Sequence, residues 1–295
     1  MPTAARQSGC GQQAGTCSRG RKMRKTSKLT DKSQILAYLE TDRLYAAYAI
    51  GDLEPGMFEQ SVWAGAGEAG RMQALALLFR GLEPPPLFLM GETEGLRAIL
   101  ENVLCPEWVY VTCREEHLSM TRDFYAWGET APIPMWRMAL RLARFRPVGG
   151  NCARLTLAHS DQLAELYALG GGLAFGPAQV KHGVFRGIFA SDQLVAAAGT
   201  HLVSPTYSVA AVGNVFTHPD YRGRGYGTAV TGAVVAELLE RGIGDVVLNV
   251  SQDNAVAVRI YERLGFERYC PFFEGPASAR SGAVRPPEPS PPPGG

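Results

Sequence analysis

The sequence predicts an α/β protein of the α+β kind, with a mixed, mostly antiparallel central sheet flanked by helices, and two such units in tandem. Three observations predict it. Apolar runs come as antiparallel strands first and then as strand, helix, strand, helix and strand, unlike the regular alternation of a doubly wound fold. That order occurs twice along the chain. In its second occurrence a strand meets a glycine-rich turn in front of an apolar helix, where backbone amides gather around an anion. The 295 residues are 46% hydrophobic and 19% charged, enough to bury two cores of ordinary size.

The first unit begins with a helical stretch at 33–48. Strand-like runs follow at 61–66, 72–79 and 87–90, then a helix at 93–103, a strand at 108–112, a helix at 115–125 and a strand at 135–142. The second unit opens on an alternating run at 154–157 and a helix whose Ser160-Asp161 start suits an N-cap. Strands at 184–190, 194–203 and 207–217 lead to the glycine-rich turn. Beyond it come a helix at 227–241 closed by Gly242, a strand at 246–250, a helix at 254–264 stopped by Gly265, and a strand at 266–273. Arg146-Pro147-Val148-Gly149-Gly150 has the composition of a linker. The expected division is a disordered basic segment over 1–28, a first domain over 29–148, a second over 149–275, and a disordered Pro-rich tail over 276–295.

Charge and cysteine usage exclude several classes. Arg6, Arg19, Arg21, Lys22, Arg24, Lys25 and Lys28 precede the first acid at Asp31, and setting these seven aside leaves 22 basic against 28 acidic residues. The body is therefore acidic and the basic segment carries no aromatic residue to stack on bases, so no nucleic-acid partner is expected. Met23 is a second candidate start. No apolar segment follows the basic start as a secretory signal requires, and the longest apolar runs fall short of a bilayer, which predicts a cytoplasmic protein with no membrane partner. Cys10, Cys17, Cys105, Cys113, Cys152 and Cys270 include no C-x-x-C pair, and the histidines are dispersed, so reduced thiols and no metal site are expected. A monomer or a homodimer is compatible with this composition.

The chemistry concentrates in Val212-Gly213-Asn214-Val215-Phe216-Thr217-His218-Pro219-Asp220-Tyr221-Arg222-Gly223-Arg224-Gly225-Tyr226-Gly227-Thr228. Glycines at 223, 225 and 227 let a backbone approach a diphosphate with no Cβ in the way, at the positive end of the following helix. A tight turn needing glycine for packing alone gives the same pattern. The dinucleotide fingerprint wants a different glycine spacing, and the triphosphate loop wants a lysine that Gly227-Thr228 lacks.

On these residues the chain resembles the GNAT superfamily of N-acetyltransferases. The family's cofactor motif is Arg or Gln, two residues, Gly, one residue, Gly or Ala, and Arg222, Gly225 and Gly227 match it. A second stretch, Leu248-Asn249-Val250-Ser251-Gln252-Asp253-Asn254 through Tyr261 to Leu264-Gly265-Phe266, matches another family motif at the usual distance. The resemblance covers about 154–275. It implies that acetyl-CoA serves as cosubstrate, its diphosphate on the backbone amides of Arg222, Gly223, Arg224, Gly225, Tyr226, Gly227 and Thr228. It also implies that the strand 209–217 splays, freeing main-chain groups of Val215, Phe216 and Thr217. Val215 N–H would polarise the thioester carbonyl and Thr217 would pair with the pantetheine arm. Asn254 would cap its helix and also bond that arm, or cap alone. Tyr261 would protonate the departing thiolate, or serve only as a packed aromatic.

The implied function is transfer of an acetyl group to a primary amine of a small molecule or peptide by direct attack in a ternary complex. A non-catalytic acyl-CoA sensor or scaffold is the alternative, since no glutamate stands on the strand before the motif, where several members place their base. His218, His201 and Asp220 are the candidate bases, each also readable as a turn or surface residue. The first unit resembles a degenerate copy, because Met90-Gly91-Glu92-Thr93 lacks the glycines and carries an acid where an anion would sit. Glycine N-acyltransferase-like proteins share this tandem outline, and the first unit would complete the acceptor pocket.

Overall fold

The computed structural model describes residues 24–170 and 175–281. Cys10, Cys17, most of the basic segment and all but the start of the Pro-rich tail lie outside the described residues. The first half comprises β1 (Lys25–Leu29), α1 (Lys32–Leu39), α2 (Ala47–Gly51), β2 (Ser61–Glu68), β3 (Arg71–Phe79), β4 (Pro86–Gly91), α3 (Thr93–Asn102), β5 (Trp108–Cys113), α4 (Leu118–Phe124), β6 (Tyr125–Trp127) and β7 (Ile133–Leu140). The second comprises β8 (Ala153–Arg154), α5 (Ser160–Ala168), α6 (Pro177–His182), β9 (Arg186–Ala190), β10 (Gln193–Ser204), β11 (Val209–Thr217), α7 (Tyr226–Glu240), β12 (Asp245–Ser251), α8 (Ala255–Leu264) and β13 (Phe266–Ala279).

All the strands join one sheet in the order β1-β2-β3-β4-β5-β13-β7-β12-β11-β10-β9-β8, with β6 beside β13. The two halves repeat one pattern. An antiparallel run ends in a parallel pair bridged by a helix, β4 with β5 across α3 and β11 with β12 across α7. Both sheet faces are covered, which is why the strands read as continuous apolar runs instead of alternating ones. Val246, Leu248 and Val250 of β12 pack with Val234 and Leu238 of α7 and with Val258 and Leu264 of α8. Val247, pointing the other way, packs with Ala47 of α2, Ala139 of β7 and Ala211 of β11.

The halves exchange strands across the expected boundary near residue 148. β7 lies between β12 and β13, with Leu248 opposite Met138 and Phe272 opposite Met135. In return the far end of β13 pairs with β5 and β6, from Phe273 opposite Cys113 to Ala279 opposite Tyr125. Because β13 is 14 residues long, it serves both partners in succession. Polar ties reinforce the junction. Arg43 pairs with Asp245 at 2.7 Å, and Glu54 accepts from the Ser204 and Thr206 hydroxyls at 2.6 and 2.8 Å.

Several elements differ from the sequence expectation. The helix expected over 33–48 breaks after Leu39: Thr41 turns its hydroxyl onto the Tyr38 carbonyl, and Arg43 reaches across to Asp245 and the Tyr207 carbonyl. The stretch expected over 115–125 starts as a 3₁₀ turn, and Tyr125 already belongs to β6. Residues 25–28, expected to be disordered, pair with β2 as an edge strand whose Lys25 and Lys28 face solvent, a charge pattern that blunts further pairing. Residues 276–279, expected in the tail, continue β13, and the Pro276 carbonyl accepts from Gly128 N–H at 2.9 Å. The cap expected at Ser160-Asp161 moves to Thr156, whose backbone N–H donates to His159 Nδ1 at 3.1 Å and closes a 3₁₀ turn ahead of α5. Gly242 and Gly265 adopt φ of +80° and +103° behind their helices, as read from sequence.

The exchange makes each half depend on the other, because removing β7 uncovers edges of both β12 and β13. Residues 149–281 expressed alone should show no cooperative thermal transition by circular dichroism and should regain one on co-expression with residues 24–148. A cooperative melt of the isolated fragment would contradict the exchange.

Candidate functional site

The site starts where β11 leaves β12. The parallel pairing runs only from Val209 opposite Asp245 to Val212 opposite Leu248, so residues 213–217 keep β10 on one edge and lose β12 on the other. A bulge accompanies the divergence. Asn214 has φ of +52°, and the β10–β11 register shifts between Gly213 and Phe216, leaving Asn214 and Val215 together opposite Ala198. Buried Asn214 is fixed from two sides, with Tyr167 donating to its carbonyl at 2.8 Å and its amide donating to Gln179 Oε1 at 3.1 Å. Gly213 is required, since a Cβ there would lie 2.3 Å from His201 Nε2. Val215, Phe216 and Thr217 are half-buried along the divergent edge.

At the end of that edge the chain turns into α7. Gly225 is its N-cap with φ of +78°, Gly223 has φ of +77°, and a Cβ at either would meet nothing within 4 Å. These glycines are therefore conformational, and the space beside them is open to a ligand. The first helical bond runs from Ala229 N–H to the Gly225 carbonyl at 3.0 Å, so the amides of Tyr226, Gly227 and Thr228 are first-turn donors that the helix does not use. Arg222 donates to the Thr217 carbonyl at 3.2 Å and Arg224 to that of Asp220 at 3.4 Å, and both residues are exposed. Convergent amides, a positive helix end and two arginines fit a diphosphate.

On the same side of the sheet, Asn254 caps α8, accepting from Ala257 N–H at 3.0 Å. Tyr261 lies two turns further on, 8% exposed and edge-on to Phe266 at 6.2 Å. Burial pushes its phenol up to about 12, so it is neutral at pH 7.

On the opposite face, polar side chains from both halves meet in a cluster. The Tyr48 hydroxyl lies 3.2 Å from His201 Nδ1, and the Arg137 guanidinium carbon lies 4.6 Å from the Tyr48 ring. His201 keeps exposed surface, yet burial by the surrounding walls lowers its pKa, with a hydrogen bond to Asn214 opposing. Asp52, one helical turn beyond Tyr48, is pushed up to about 8 by burial. Burial pushes Glu274 up to about 6, with Arg137 and a Tyr110 hydrogen bond pulling the other way. Of the candidate bases, His201 lies in this cluster. His218 instead caps the turn after β11, accepting from Asp220 N–H at 3.3 Å, while the Asp220 side chain is exposed. Sequence reasoning missed Asn214, Arg137, Tyr48 and Asp52. A Gly-Asn pair inside a strand run and an arginine inside Met135-Trp136-Arg137-Met138 were the available signals.

Residues 155–266 match the Acetyltransferase (GNAT) family. These residues therefore match a GNAT domain, in a chain whose sheet has the GNAT fold. Among similar solved structures, a GCN5-related N-acetyltransferase from Sphaerobacter thermophilus superposes with a TM-score of 0.54 at 15% identity, over 88% of this chain and 96% of that one. A tandem GNAT protein from the clavulanic acid biosynthesis pathway superposes with a TM-score of 0.52 at 13% identity, over 87% and 98%. Among curated proteins, the mycothiol acetyltransferase of Rhodococcus opacus (strain B4) is 47% identical over 62 residues, and that of Thermobispora bispora is 49% identical over 51 residues. The match covers 20% of this chain and 20% of the Rhodococcus protein, so the chain spans about a fifth of the length of such relatives.

Glu274 allows a test of the cluster. Its folded pKa of about 6 exceeds the ordinary 4.5, so the fold favours the neutral form, a contribution present below pH 4.5 and lost as pH rises through 6. Glu274→Gln should melt about 2–4 °C above the wild type at neutral pH, with the gain shrinking as pH falls through about 6 and gone below 4.5. A gain that does not change with pH would contradict this environment.

Proposed function

We propose that the protein is an N-acyltransferase that moves an acetyl group from acetyl-CoA to a primary amine of a small molecule or peptide, by direct attack in a ternary complex. The observation that carries this reading is the bare amide turn at the start of α7, placed at the end of a strand edge that has lost its partner. The amides of residues 222–228 hold the diphosphate, and the released main chain of Val215, Phe216 and Thr217 takes the pantetheine arm, with Asn254 Nδ2 as a further donor. Acetyl-CoA supplies an activated thioester carbonyl. Val215 N–H stabilises the charge that develops on its oxygen, which a preorganised donor does at little reorganisation cost. Tyr261, a neutral phenol, gives its proton to the leaving thiolate. His201, kept neutral by burial, takes the proton released by the amine, and Asp52, pushed up to about 8 by burial one turn beyond Tyr48, is the second candidate for that role.

The chain is proposed to divide into a degenerate half, 29–148, and a catalytic half, 149–275. The first does not bind coenzyme A, since Glu92 stands in front of α3 and pairs with Arg24 at 2.8 Å. It completes the acceptor site with Tyr48, Asp52 and Arg137.

Acetyl-CoA should raise the melting temperature, and a broad amine panel should release free thiol; stabilisation without turnover on any amine would favour the acyl-CoA sensor. Tyr261→Phe should lower kcat about 100-fold and leave acetyl-CoA affinity within about twofold. An unchanged rate would remove Tyr261 as the acid. His201→Gln should abolish the rise of kcat/KM with pH through the histidine titration, and a retained rise would pass the role to Asp52.

A further inference from the structure

Arg137 lies in the middle of β7, directly opposite Asn249 of β12, on the sheet face that carries the polar cluster. It is 1% exposed, and its Nε and Nη1 have no hydrogen-bond partner. The Asn249 Oδ1 beside it is also occluded and without a partner. The guanidinium carbon packs 4.6 Å from the Tyr48 ring and 5.4 Å from the Phe272 ring. Glu274 and Tyr48 feel its field, but no carboxylate among the described residues forms an ion pair with it.

A buried cation that makes no direct ion pair is unfavourable, and replacing such a group by an apolar one of similar size is often stabilising. A site that keeps it holds donors in reserve for an anion that arrives. The planar fork of arginine matches a carboxylate through two parallel bonds. The adjacent carbonyl of Asn249 accepts an N–H from the same molecule. The Tyr48 ring packs against the guanidinium, and its hydroxyl reaches His201, which keeps exposed surface. β7 is two strands from β11, roughly 10 Å at the usual strand spacing, so the anion sits a few bonds from the amine that meets the acyl carbon.

We infer that Arg137 anchors a carboxylate of the acceptor, so that the substrate is an amine that also carries a carboxyl group. This rests on the acyl-transfer reading above. The test titrates the full chain, saturated with coenzyme A, with glycine, 3-aminopropanoate and 4-aminobutanoate and with their amides, by calorimetry and thermal shift. At least one carboxylate should bind, and its amide at least roughly tenfold more weakly. Arg137→Met should lose that preference, keep its coenzyme A affinity and melt no lower than the wild type, while Arg137→Lys retains part of the preference. Equal binding of acids and amides, or no binding of any acid, would overturn the inference. A lower melting temperature of Arg137→Met together with an unchanged acid preference would make Arg137 a packing residue and overturn it too. Failure of coenzyme A itself to bind refutes the acyl-transfer reading separately, and the acids are then titrated on the free protein with the same criteria.

Discussion

Main-chain groups that the sheet gives up constrain everything else in this molecule. β11 and β12 pair for four residues and then separate, although backbone N–H and C=O groups are costly to leave without partners. The bulge at Asn214 accompanies that separation, and Tyr167 and Gln179 hold it in place. This strand edge runs directly into a helix start whose amides the helix does not use, and in the proposed function a long, narrow ligand with an anionic end replaces the missing strand.

The exchange of β7 and β13 joins the two halves in one sheet. β7 supplies the neighbour that β12 needs and carries Arg137 onto the face with the polar cluster, while α2 lays Tyr48 and Asp52 over the same face. In the first half the corresponding helix, α3, begins behind Glu92. Tyr48 and Arg137 are that half's contribution beside His201. In the proposed function the two sheet faces therefore divide the work, one for the cofactor and one for the acceptor.

Much of this was legible in the sequence because local rules set it. Gly223, Gly225, Gly242 and Gly265 adopt positive φ where the turn pattern requires it, and Asn254 caps α8 as its position suggests. The unit order followed from the apolar runs. What stayed hidden depends on contacts distant in sequence. Nothing near Met135-Trp136-Arg137 tells that this strand crosses to the other half, and nothing near Ser204 reveals Glu54 as its partner. The break after Leu39 has the same origin, since Arg43 is drawn to Asp245, 202 residues away. His201 was one of three candidate bases in the sequence, but its contact with Tyr48 was not legible, because Tyr48 comes from the first half.

The most direct measurement of the central claim is amide hydrogen exchange of the full chain with and without coenzyme A. Slowed exchange at residues 222–228 and along 213–217, with the counterpart turn at 91–95 unchanged, is the expected result. Protection that appears at 91–95, or at no residue of the α7 turn, would contradict it.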